Sequence, residues 1–75
     1  EEITISPGTT VTWVNEDGYI HNVLSGERGD PTGTITSPDI AGGSTFSFTF
    51  EETGTYPYYC YYHPGMSGTV IVSDE

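Results

Sequence analysis

Apolar and polar residues alternate with a period of two along much of this chain, the pattern of strands with one face buried. Ile3 and Ile5 flank Thr4 ahead of a Ser6-Pro7-Gly8 turn, and Val11 and Trp13 alternate with Thr10 and Thr12. Both segments are expected to be half buried. Phe46, Phe48 and Phe50 alternate with Ser47 and Thr49, which puts three rings on one strand face and assigns that face to the core. After the Glu51-Glu-Thr-Gly54 turn, Tyr56, Tyr58 and Cys60 share one face and Pro57 and Tyr59 take the other. Cys60 is therefore expected to point inward at a strand end. Val70-Ile-Val72 reads as a final strand, apolar on both faces and so central in its sheet. Residues 26–43 offer only Ile35 and Ile40 as apolar anchors among Gly, Pro, Ser, Thr and Asp, and are expected to form a long irregular crossover. No stretch carries a helical period. The fold class is all-β, an antiparallel β-sandwich, in one domain spanning residues 1–75.

The chain has 75 residues and a single cysteine, so no internal disulfide supports this small domain. A bound metal closing a long loop and an aromatic core are the two candidates for what holds it. Eleven acidic residues stand against one arginine, Arg28, with no lysine, giving a net charge of −10. That charge excludes a phosphate-binding surface, and nucleic acid with it. It suits either a basic docking partner drawn in by long-range attraction or solubility in high salt. Asn15-Glu-Asp-Gly18 has turn composition, with too few oxygen ligands for calcium, and reads as a plain turn. No apolar run approaches the length of a membrane span, about eighteen residues. The start at Glu-Glu-Ile suggests a trimmed or mature, exported domain, periplasmic or extracellular, with any signal peptide, membrane anchor or first strand outside this sequence.

The candidate chemistry lies in Cys60-Tyr-Tyr-His63-Pro-Gly-Met66 together with His21, far upstream in His21-Asn-Val. These supply one thiolate, two imidazoles and one thioether, the donor set of a mononuclear blue-copper site. Three-residue steps let one segment curl round one ion, and His21 must arrive from another strand. Singly, each residue has an ordinary role: a buried free cysteine, an exposed histidine, a gap-filling methionine. The argument rests on their conjunction, since the chain's only Cys, only Met and both His fall into one pattern. Structural zinc closes its tetrahedron with a thiolate, imidazole or carboxylate rather than a thioether, so copper fits better. Haem attachment needs a second cysteine, and a nucleophilic cysteine needs an oxyanion site that nothing here identifies.

Val11-Thr-Trp-Val-Asn15, His21-Asn-Val-Leu24, Gly54-Thr-Tyr-Pro-Tyr-Tyr-Cys60 and His63-Pro-Gly-Met-Ser-Gly-Thr-Val70 together resemble cupredoxins of the plastocyanin, halocyanin and amicyanin type. The resemblance spans nearly the whole chain and implies a Greek-key cupredoxin sandwich. It implies one copper per chain, held by His21, Cys60 and His63 in a plane with Met66 as long axial ligand. It also implies that His21 is buried with its ring braced by backbone, while the edge of His63 is the surface port for electrons. The backbone N–H groups of Asn22 and Tyr62 would donate to the sulfur, and the Asn22 side chain would brace the first-histidine segment to the cysteine loop. The chain is shorter than typical members, lacking most of the N-terminal strand, and its ligand loop has the short amicyanin-like spacing. The implied function is one-electron transfer between redox partner proteins, not catalysis. The alternative is an open or water-filled axial position at which copper transforms a small molecule such as nitric oxide or nitrite.

Overall fold

Glycine and proline turns divide the alternating runs into strands. The computed structural model describes residues 2–74, the side chain of Pro64 excepted. Its seven strands are β1 (Glu2–Ile5), β2 (Thr9–Val14), β3 (Leu24–Glu27), β4 (Asp30–Thr36), β5 (Thr45–Phe50), β6 (Gly54–Cys60) and β7 (His63–Val72). The described residues contain no helix. The strands form a five-stranded sheet ordered β1-β7-β6-β3-β4 and a two-stranded sheet of β2 and β5. All pairings are antiparallel except β1 with β7, which run parallel from Glu2 opposite Thr69 to Ile5 opposite Val72. Nearly the whole chain separates these two strands, so no hairpin forces them to oppose.

The core lies between the sheets. Val23, Ile35, Ile40, Phe50, Val70 and Val72 are buried, and Ile5, Val11, Trp13, Phe46, Phe48, Tyr56 and Tyr58 pack round them. Phe50 is its aromatic centre, with ring centroids of Phe48 at 4.9 Å and Tyr56 at 5.1 Å, both edge-on. On the outer face of β2 and β5, Thr10 and Thr12 hydroxyls pair with Thr49 and Ser47 across the strands.

Three expectations change. Residues 26–43 are not one crossover, because β3 and β4 form a hairpin that turns at Arg28 and Gly29. As an outer strand β4 exposes nearly every side chain and buries only Ile35, so it leaves no alternation to read. Tyr59, on the face opposite Cys60, is buried too, because the Arg28 guanidinium lies over its ring. Ile3 stays exposed on the outermost strand, while Ile5 reaches the core. The last strand begins at His63, not after Gly68, so the ligand segment is built into a hairpin instead of hanging free.

Candidate metal centre

His21 sits in the segment that leads to β3, and its main chain is fixed before its ring is. Its N–H donates to Ile40 O at 3.1 Å and its carbonyl accepts from Ile40 N–H at 2.7 Å. Ahead of it, the buried Asn15 side chain donates to the carbonyls of Tyr19 and Ile40, both at 2.7 Å, and accepts from Asp17 N–H. These bonds hold residues 15–20 in an arch.

Cys60 ends β6 and is fully buried. The register of the β6/β7 hairpin brings His63 to it. Tyr59 faces Ser67, yet the next residue, Cys60, faces His63, so residues 64–66 have no partner on β6 and bulge out. That bulge gives a strand pair the curl of a loop. It leaves His63 exposed and turns Met66 to a small cavity of about 220 Å³, which it shares with His21, Trp13, Val23 and Ile40.

The side chains converge. His21 Nδ1 lies 3.4 Å from Cys60 Sγ, and the rings of His21 and His63 are 5.4 Å apart at their centroids. Sulfur and nitrogen bound to one ion at about 2.3 and 2.0 Å, at a near-tetrahedral angle, stand about 3.5 Å apart. The observed spacing therefore fits two donors of a single metal, and the soft sulfur beside two imidazoles suits copper. The structure thus sets His21 against Cys60 and the His63 ring alongside His21, with Met66 lining the cavity that His21 shares.

Burial alone would push the Cys60 thiol up. The Asn22 N–H, 3.4 Å from the sulfur, outweighs it together with the His21 imidazole and the N–H groups of Tyr62 and His63, and the thiol sits below its ordinary range. The same contact with Cys60, then the one with Asp17, raises the His21 imidazole. The pocket thus eases ionisation of the thiol before any metal is considered. Asn22 is buried, and its Oδ1 accepts from Tyr61 N–H at 2.8 Å, tying the first-histidine segment to the turn after Cys60.

Two charged residues at the site were missed. The second ring nitrogen of His21 is held by a carboxylate, not by backbone: Asp17 Oδ2 is 2.7 Å from Nε2. The only hint in the sequence is an Asp four residues before a candidate ligand, in what reads as a plain turn. Asp17, His21 and His63 each place a donor atom within 4.8 Å of the others. The second is Arg28, whose guanidinium reaches the carbonyls of Cys60, Tyr61 and His63.

Residues 1–73 match the family model described as copper binding proteins, plastocyanin/azurin family. Plastocyanin of Scenedesmus fuscus is 40% identical over 78 residues, covering 93% of this chain and 80% of that protein. Amicyanin of Paracoccus denitrificans is 38% identical over 73 residues, covering 95% of this chain but 54% of its own length. The chain thus spans about half of that relative. Among solved structures, a purple cupredoxin from Nitrosopumilus maritimus superposes with a TM-score of 0.88 and 42% identity, over 96% of this chain and 77% of that one. A copper(I) form of an amicyanin mutant gives 0.83 and 35%, over 96% and 69%.

Proposed function

The chain belongs to the plastocyanin/azurin family of copper-binding proteins, a cupredoxin, and on that premise we propose that it carries single electrons between partner proteins, with one copper held by His21, Cys60, His63 and Met66. Bound there, copper would supply a Cu(I)/Cu(II) couple. The chain's own residues supply the rest. Cys60 presents a thiol whose ionisation is eased by surrounding N–H donors and the His21 imidazole. His21 holds its Nδ1 toward the sulfur, with its Nε2 anchored on Asp17. Exchange is fast when neither oxidation state can relax far, and Cys60 and His63 rise from paired strands while His21 is held by two main-chain bonds to Ile40. The observation that carries the reading is the 3.4 Å approach of His21 Nδ1 to Cys60 Sγ, with the exposed His63 ring alongside. Support for a closed fourth position comes from Met66, which lines the same cavity as His21.

His63 is the port. Around it lies a cavity of about 640 Å³ lined by Asp17, Tyr19, Ile20 and Tyr62, and Tyr19, Ile20, Tyr61 and Tyr62 are all well exposed. A contiguous apolar face of this kind is what a partner covers on docking. The net charge of −10 leads to a partner whose apolar patch is rimmed by basic residues. An exported setting, periplasmic or extracellular, belongs to the same proposal and rests on the family alone.

The test is visible absorption and EPR of the Cu(II) protein with and without azide. An intense thiolate charge-transfer band indifferent to azide is expected. A colourless protein, or a spectrum rebuilt by azide, contradicts the carrier.

A further inference from the structure

We propose that Arg28 is a positioning residue, which acts through two peptide units to aim a backbone N–H at the Cys60 sulfur. The chain's one strong cation is exposed, yet its guanidinium is engaged by main-chain carbonyls. Its Nη2 donates to Cys60 O and, at 3.2 Å, to His63 O, while Nη1 donates to Tyr61 O at 3.2 Å. The guanidinium carbon lies 5.3 Å from the centre of the buried Tyr59 ring, which fixes the plane of the fork. All three carbonyls belong to the four-residue turn that joins the two ligands Cys60 and His63.

A peptide unit is planar, so fixing its oxygen fixes the direction of its N–H. The unit between Cys60 and Tyr61 is gripped at both ends: Arg28 takes the carbonyl, and Asn22 Oδ1 takes the Tyr61 N–H at 2.8 Å. In the unit between Tyr61 and Tyr62, Arg28 takes the carbonyl, and the N–H is one of the groups that lower the Cys60 thiol. A cation on a carbonyl also polarises the unit and strengthens its N–H as a donor. Arg28 thereby sets both the direction and the strength of a hydrogen bond that the sulfur receives.

The β3/β4 hairpin is shaped to deliver this side chain. Gly29, beside Arg28 in the two-residue turn, has φ of +87°. Gly26 has φ of +108°, and a Cβ there would meet Asp30 O at 2.6 Å and Thr32 N at 2.8 Å. Only arginine offers the flat multi-donor fork this geometry uses, and a lysine keeps the charge as a single point.

The inference rests on the copper-site reading, since donors to the sulfur matter most when it ligates a metal. The test compares wild type with Arg28→Lys and Arg28→Met by amide hydrogen exchange, copper-free and copper-loaded, and by reduction potential. Exchange at Tyr61 and Tyr62 is expected to rise roughly fivefold in Arg28→Met, the loss of about one hydrogen bond. Its weaker N–H···S contact should favour the oxidised form about threefold, a fall of about 30 mV for a one-electron couple. Arg28→Lys should keep the fast exchange and most of the fall. Unchanged exchange in both variants overturns the proposal, and so does full restoration by lysine, which would leave charge as the sole effect. If Arg28→Met fails to fold, Arg28→Lys alone decides between these results. If wild type binds no copper, the site reading fails, while exchange in the copper-free protein still decides the role of Arg28.

Discussion

Replacing Asp17 tests how the site is tuned, because the structure fixes both the sign and the size of the effect. His21 turns Nδ1 to the Cys60 sulfur, so a neutral ring that ligates through Nδ1 carries its proton on Nε2 and donates to Asp17 Oδ2 at 2.7 Å. A carboxylate on that proton makes the imidazole a better donor and stabilises the more positive, oxidised site. Asp17→Asn keeps an oxygen acceptor and removes the charge. A charge-assisted bond is worth about 1.5–3 kcal/mol when buried. The Asp17 side chain is 58% exposed, against 7% for His21, which brings the contribution down to about 1 kcal/mol. For a one-electron couple that is a rise in potential of about 40 mV. The assay is a redox titration of wild type, Asp17→Asn and Asp17→Ala at fixed pH. The shift should persist at about 0.1 M salt, since a contact pair lies well inside the 10 Å screening length. Asp17→Ala should add a broadened EPR signal, because the ring loses its anchor as well as its charge. A potential that stays put or falls in Asp17→Asn would refute the reasoning.

Phe50→Ala removes the most buried ring and should cost about 3–5 kcal/mol. With a total stability of about 4–11 kcal/mol for a chain this size, urea melts of the copper-free variant should show a large fraction of it lost, and a loss under about 1 kcal/mol would count against the packing described. Asn22→Ala frees the Tyr61 N–H and should cost about 1–2 kcal/mol by the same melts, with faster copper loss to a chelator; unaltered copper release would deny Asn22 its bracing role. Association with a basic redox partner should weaken steeply as ionic strength rises, and a rate flat across a salt series would remove electrostatics from docking.

What the sequence made legible, and what it hid, follow from where each residue sits. Val11, Trp13 and the Phe46, Phe48, Phe50 stripe pack inward from a sheet with a solvated outer face, so their period of two is plain. The candidate donors stood out because thiolate, imidazole and thioether chemistry is rare in this chain. The β3/β4 hairpin was hidden because β4 is an outer strand held by backbone and hydroxyl bonds, such as Ser25 Oγ with Ile35 N–H at 2.8 Å, rather than by an apolar face. The start of β7 at His63 was hidden because three bulged residues interrupt its pairing. Asp17 and Arg28 are exposed charges whose roles lie in contacts that composition does not reveal. Arg28 reaches the carbonyl of a residue 32 positions away.

The central claim is that one sulfur and two imidazole nitrogens share a single copper, and X-ray absorption at the copper edge measures it directly. The spectrum of the loaded protein should require one short Cu–S bond from Cys60 and two nitrogen neighbours from His21 and His63. A copper shell made only of oxygen and nitrogen, or one unchanged by Cys60→Ser, would contradict the account.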